Sequence, residues 1–242
     1  MSLLFRYLTK NNAYILLPTL AVGVGLYILT DLFERLDNFI EADVPVSMIA
    51  TYFLVKMPLV ISQILPVIFL LSTVIQLCIM ARSRELTALQ AGGISLGVVA
   101  QSMILCGIFW SGVQLGFSEY LGVTGERESA RIWQLGTAIE QLSSSGSNVE
   151  NLRTAWHAKI AYAASILIMA FVATAIVSWK DNIYIAVTLA LVCTFLYYAL
   201  YTLGTSLGQR GLVHPFLAAW GANIIAMLCA MGRLIPVVME RK

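Results

Sequence analysis

Two serines lie in the pattern G-x-S-x-G, which holds the catalytic nucleophile of many hydrolases. They are Ser95 in GISLG (residues 93–97) and Ser206 in GTSLG (residues 204–208). The pattern works when the serine lies on a sharp turn between a strand and a helix, with a base in reach. Both matches fall instead at the ends of long apolar segments, where Ser95 suits a helix N-cap. A hydrolase that uses either serine is therefore a weak alternative.

Residue types that bind metals or nucleotides are sparse and scattered. The only histidines, His157 and His214, are far apart, and neither an H-x-x-x-H nor a C-x-x-C pattern occurs. No G-x-x-x-x-G-K-[ST] loop is present, which excludes ATP binding by a P-loop in this chain. All four cysteines fall inside apolar segments, which favours small buried or lipid-facing residues over disulfide partners. We expect no metal and no cofactor.

Charged residues cluster in the stretch LTDLFERLDNFIEAD. Asp31, Glu34 and Asp37 or Asn38 recur every three or four residues, so they share one face of a helix. The nearest positive charges are Arg35 and Lys56. Two interpretations of the acidic face stay open: it borders a polar cavity, or the helix simply continues past the membrane into the external solvent. The cations could bind an anionic ligand or only neutralise these acids and lipid head groups.

A polar segment, ARSRELTALQAGGIS (residues 81–95), interrupts two strongly apolar runs. It predicts a short amphipathic helix that ends at a glycine pair. Its charged residues are Arg82, Arg84 and Glu85, and Leu86 and Leu89 form a small apolar patch. The helix is either a solvated connection with a local ion pair or a lever that docks into another protein.

The composition indicates an integral membrane protein. Of 242 residues, 59% are hydrophobic and 12% are charged, whereas soluble domains average about 25% charged residues. The net charge of +2 and the lack of a basic cluster argue against nucleic acid. We predict an all-α polytopic protein with a short helix at 82–92 between the second and third of six spans: 13–33, 47–80, 97–122, 158–178, 183–206 and 213–236.

An even number of spans places both termini on one side of the membrane. Lysines and arginines crowd against the span ends in very short loops on the side that holds the termini, which favours cytoplasmic termini. The segment 81–95 is then cytoplasmic, and the polar segment 125–159 is external.

Four sequence blocks resemble the LptF/LptG permeases of the lipopolysaccharide export ABC transporter. The most specific is MARSRELTALQAGGIS (residues 80–95), which is similar to the family's coupling segment. The others are RYL (6–8), EYLGVTGERESAR (119–131) and HPFLAAWGAN (214–223). The AAW form of the last block is similar to LptG rather than LptF.

This resemblance implies a permease without catalytic activity in the inner membrane of Gram-negative bacteria. The coupling helix would lie in a groove of the LptB ATPase dimer, which hydrolyses the ATP, and Glu85 would pair with an arginine there. Its neighbours Arg82, Arg84, Leu86 and Leu89 would complete the contact. LptF and LptC would be further partners, and a cavity between the two permeases would take up lipopolysaccharide.

The sequence departs from the family in three respects. Asp31 occupies the place of an expected lysine, which leaves Arg35, Lys56 and Arg131 as candidate contacts for the anionic cargo. Prolines expected near Val123 and Ala222 are absent. The family carries a periplasmic β-jellyroll between the third and fourth spans, and only the segment 125–159 stands there.

This gap divides the chain into residues 1–134 with spans one to three, a remnant connection at 135–157, and residues 158–242 with spans four to six. The jellyroll was either deleted or left out of the sequence. The alternative functions are a permease of another ABC lipid or peptide exporter and an intramembrane serine hydrolase.

Overall fold

The computed structural model describes residues 2–94, 96–120, 139, 150–179 and 182–239. Over these residues every regular element of secondary structure is a helix, and six of the helices are long and apolar enough to cross a membrane. This confirms the predicted all-α architecture with a short helix between the second and third spans. The helices are α1 (Ser2–Glu41), α2 (Val46–Arg82), α3 (Glu85–Ala91), α4 (Leu96–Tyr120), α5 (Glu150–Trp179), α6 (Ile183–Gln209) and α7 (Pro215–Met239).

Several helices extend beyond the apolar segments that predicted them. α1 begins at Ser2 and continues to Glu41, and α5 begins at Glu150, inside the predicted remnant connection. Hydropathy detects only the part of a helix that lies in the hydrocarbon, whereas backbone hydrogen bonding can continue through the polar ends. The short helix α3 is shorter than the helix predicted at 82–92, because α2 extends to Arg82 and a turn follows it.

The core of the bundle forms around α5, which packs against α2, α4, α6 and α7. Large buried side chains of α2, such as Phe69 and Leu70, fill this core together with Ile166 and Met169 of α5. Small residues let the helices approach closely. A Cβ atom added at Gly107 of α4 would lie 3.1 Å from the Cβ of Ala170 on α5.

The two glycine pairs with four-residue spacing behave differently. Gly204 and Gly208 of α6 face α7, where an added Cβ would lie 2.5 Å from the carbonyl oxygen and 2.4 Å from the Cβ of Ala218, respectively. Small residues at four-residue spacing let two helices approach closely in this way. Gly112 and Gly116 on α4 face no such neighbour in the described part of the chain, because no described atom lies within 4 Å of an added Cβ.

Pro66 leaves a backbone carbonyl of α2 without its usual donor, because proline has no N–H to offer the residue four positions earlier. That residue is Ser62, and its carbonyl oxygen accepts a hydrogen bond of 2.7 Å from Nε2 of Gln114 on α4. The next carbonyl, that of Gln63, accepts one of 3.0 Å from the Tyr198 hydroxyl on α6. Side chains of two neighbouring helices therefore stabilise α2 beside its proline.

α1 lies at the edge of the bundle, mainly against α2. Buried Asn12 fixes it there by donating from Nδ2 to the Thr73 hydroxyl (3.3 Å) and to Oε1 of Gln76 (3.0 Å). Many of its large apolar side chains are exposed, so lipid or another subunit must cover them. They include Leu17, Val22, Leu26, Leu29, Phe33 and Ile40.

Candidate functional site

Asp31 lies between two cations where α1 packs against α2. Its Oδ2 atom is 2.7 Å from Nζ of Lys56 on α2, and its Oδ1 atom is 3.2 Å from Nε of Arg35, one turn further along α1. The side chain of Asp31 is 9% exposed and that of Lys56 is 17% exposed, whereas that of Arg35 is 47% exposed. We refer to Asp31, Arg35 and Lys56 as the charge cluster. One carboxylate and two cations leave it with a net positive charge.

Two tyrosines surround the cations of the charge cluster. The Tyr52 hydroxyl accepts a hydrogen bond of 3.1 Å from Nζ of Lys56. The same Nζ lies 5.3 Å from the centroid of the Tyr52 ring and 5.7 Å from that of Tyr27, and Cζ of Arg35 lies 5.7 Å from the Tyr52 ring. Aromatic faces stabilise a cation without cancelling its charge. The cluster can therefore still attract an anion.

The structure brings together two of the three residues proposed to bind an anionic cargo. Arg35 and Lys56 flank the same carboxylate, whereas Arg131 lies outside the described residues. The acids of the predicted face lie in different environments, because Asp31 is buried while Glu34 and Asp37 are exposed. The two tyrosines were not predicted from the sequence, although their spacing gives a signal: Tyr27 precedes Asp31, and Tyr52 precedes Lys56, by one helical turn.

A tight turn separates α3 from the end of α2. Arg84, just before α3, has φ = 59° in the left-handed region, which is costly for a residue other than glycine. Gly93, just after α3, has φ = 83°, where glycine is the natural residue. These two residues let the chain turn sharply into and out of α3.

The two faces of α3 differ in what they contact. Leu86 and Leu89 pack against a buried apolar group, the α3 cluster, formed by Leu8, Leu77, Met80, Val99 and Met103. They therefore attach α3 to its own bundle. Arg82 and Arg84, together with Thr87, Ala88 and Gln90, are exposed.

Glu85 at the start of α3 is half-buried and accepts a hydrogen bond from α1. The donor is the Tyr7 hydroxyl, 3.1 Å from Oε2 of Glu85. Tyr7 is the central residue of the RYL block. This contact of the RYL block could not be predicted from the sequence, because the two residues are 78 positions apart.

The serine patterns do not form a hydrolase site where the structure describes them. Ser206 is exposed within α6, so no strand or turn precedes it. Ser95 lies outside the described residues. His214 caps α7, because its Nδ1 atom accepts from the backbone N–H of Phe216 at 3.3 Å. Among the described residues, no group of three or more histidine, cysteine, aspartate or glutamate side chains could hold a metal ion.

Comparison with known proteins gives one match. The family described as lipopolysaccharide export system permease LptF/LptG matches residues 6–135 and 123–236, two segments that overlap in the connection between α4 and α5. A search of curated proteins found no match. The family's members are transporter subunits without catalytic activity. Together, the matched segments, the six apolar helices and the short helix after the second span show that the chain belongs to the LptF/LptG family of multi-pass inner-membrane permeases for lipopolysaccharide export.

Proposed function

We propose that this chain is an LptG-like permease that extracts lipopolysaccharide from the inner membrane and passes it to the periplasmic bridge. The observation that carries this proposal is α3, a short helix between two spans that exposes Thr87, Ala88 and Gln90, with the exposed cations Arg82 and Arg84 directly before it. A permease without a nucleotide site must receive work from another protein, and this helix offers the contact. Its partners would be the LptB ATPase dimer, LptF and LptC.

In this proposal α3 divides the tasks of coupling between its two faces. Leu86 and Leu89 hold the helix to the bundle, so that a force on α3 reaches the spans. Arg82 and Arg84 are free to meet a partner surface, and Glu85 offers a carboxylate to an arginine of LptB. Closure of the LptB dimer on ATP would then displace α3.

The charge cluster would meet the anionic head of the cargo. Phosphates of a lipid pair well with arginine and lysine, and such pairs strengthen where lipid excludes water. Half of the Arg35 side chain is accessible, and Asp31 neutralises only one of the two positive charges. Arg131 would add a third cation from the exit of the third span. Apolar walls of the cavity would hold the acyl chains.

This function requires cytoplasmic termini, because α3 must face LptB while the charge cluster faces the periplasm. The course of α2 supports that arrangement. Lys56 lies near the beginning of α2, whereas α3 follows its last residue, so the charge cluster and α3 lie towards opposite ends of this helix. We further propose that the family's periplasmic jellyroll is missing at the connection between α4 and α5, where the two matched segments meet.

Reconstitution tests the proposal. The tagged chain should co-purify with LptB and a second permease, and the complex in proteoliposomes should release lipopolysaccharide to the periplasmic bridge only with ATP. Liposomes that carry phospholipid alone serve as the control. Equal ATP-dependent release of phospholipid would contradict the proposed cargo and favour another lipid exporter. Failure to retain LptB would contradict the role of α3.

A further inference from the structure

α1 contacts both regions to which the proposed function assigns a role. It is a single helix from Ser2 to Glu41, with Pro18 inside it between the two contacts described next. Near its start Tyr7 contacts Glu85 on α3, and further along Asp31 contacts Lys56 in the charge cluster. The distance from Tyr7 to Asp31 is about 36 Å along the axis, at 1.5 Å per residue. A displacement of α3 can therefore reach the charge cluster through a single element.

The position of α1 at the edge of the bundle favours such movement. α2, which leads directly into α3, has most of its second half buried in the core and cannot move without disturbing that core. α1 has few buried side chains and is held by separate polar contacts, such as those of Asn12. Elements with few buried apolar contacts move at the lowest cost in free energy.

The contacts between α1 and α3 are of two kinds. Leu4 and Leu8 of α1 pack in the same apolar group as Leu86 and Leu89 of α3. Apolar packing holds two helices together but has no preferred direction. The hydrogen bond from Tyr7 is directional, and it fixes one oxygen of the Glu85 carboxylate. Because a carboxylate accepts at both oxygens, an arginine of a partner could bind Glu85 at the same time.

We propose that Tyr7 is a positioning residue, which orients Glu85 and transmits the displacement of α3 to α1, and thus moves Asp31 and Arg35 relative to Lys56. This inference rests on the proposed function of α3 as the coupling helix. It gives the RYL block a role, and it identifies α1 as the mechanical link between ATP hydrolysis and the cations that meet the cargo.

The variant that tests this proposal is Tyr7→Phe, which removes the hydroxyl and keeps the ring. Tyr14→Phe is the matched control, since Tyr14 is an exposed tyrosine on the same helix. Each change is made in the full chain within its assembled transporter in lipid nanodiscs. A fluorescent reporter is attached at one introduced cysteine, Thr87→Cys on α3 or Asp37→Cys near the end of α1. Cys193 and Cys229, which are not fully buried, are replaced by alanine.

We expect both reporters to respond to ATP and vanadate in the protein with native Tyr7. Tyr7→Phe should reduce the response at residue 37 at least about threefold, as expected from the loss of one hydrogen bond, and preserve the response at residue 87. Tyr14→Phe should preserve both. A full response at residue 37 in Tyr7→Phe would overturn the proposal, as would equal losses at both positions or no response at residue 37 with native Tyr7. A silent reporter at residue 87 with native Tyr7 would instead contradict the role of α3 itself.

Discussion

The carboxylate of Asp31 on α1 binds the ammonium group of Lys56 on α2 at 2.7 Å, and this ion pair links the two helices away from the α3 end of the bundle. The pair is mostly shielded from solvent, and breaking it from one side leaves a charge without its main partner. Asp31 replaces a lysine expected from the family resemblance. A lysine at this position would repel Lys56, whereas Asp31 attracts it.

Asp31→Asn should therefore destabilise the protein. The amide can still accept one hydrogen bond, and the Tyr52 hydroxyl still accepts from Lys56, so we expect a loss of about 1–3 kcal/mol. Thermal unfolding in detergent measures the change as a lower Tm. Asp37→Asn is the control, because Asp37 is exposed on the same helix. An unchanged Tm for Asp31→Asn would show that the pair does not hold α1 against α2.

The cations of the charge cluster should set the yield of photo-crosslinking to lipopolysaccharide. Arg35→Asp, Lys56→Asp and Arg131→Asp should each lower the yield, because each opposes the phosphates of the cargo. Asp31→Asn should raise it, since it releases a positive charge. Undiminished crosslinking in all three aspartate variants would make these residues structural or head-group contacts. Arg210→Asp, at an exposed turn after α6, controls for net charge.

Gly208→Ala should weaken the contact of α6 with α5 and α7. The added Cβ would lie 2.4 Å from the Cβ of Ala218 and 2.9 Å from Cγ2 of Thr154, so the helices must separate. Overpacking of this kind costs about 1–3 kcal/mol. Gly112→Ala should leave the Tm of the isolated chain unchanged, because no described atom lies within 4 Å of the new methyl group. Equal Tm values for the two variants would contradict the packing described for α6.

A double-mutant cycle tests the hydrogen bond that stabilises α2 beside Pro66. Gln114→Leu should cost about 1–3 kcal/mol, because the Ser62 carbonyl loses its donor inside the bundle. Pro66→Ala restores a backbone N–H that can bond to that carbonyl. The cost of Gln114→Leu should then be smaller when Pro66→Ala is present. Strictly additive losses of stability would show that Gln114 does not compensate for the proline.

The spans could be predicted from the sequence because their apolar length is set by the bilayer alone. The contacts across helices could not. Asp31, Glu34 and Asp37 are equivalent by spacing, and only the rotation of α1 against α2 decides that Asp31 turns inward. Similarly, Leu86 and Leu89 were predicted as an apolar patch, but whether it faces a partner or the bundle depends on α1 and α4.

Glu85 could be singled out from the sequence as a candidate contact residue, whereas its contact with Tyr7 could not be predicted. Glu85 is the only acid between residues 81 and 95, so its type and place in the segment were enough to select it. The hydroxyl that binds it comes from the first turns of α1. The pattern of residues within α1 or α3 gives no information on a contact between residues 78 positions apart.

The proposed coupling through α3 is tested most directly by purifying the transporter with Glu85→Arg and measuring its LptB content and its lipopolysaccharide-stimulated ATPase activity. We predict that both fall, because the new cation opposes an arginine of LptB, and that an LptB variant with an acid in place of that arginine partly restores them. Glu41→Arg, at the exposed end of α1, controls for the change of charge. Normal LptB content and normal stimulated activity in Glu85→Arg would contradict the proposal that Glu85 passes work from the ATPase to the membrane.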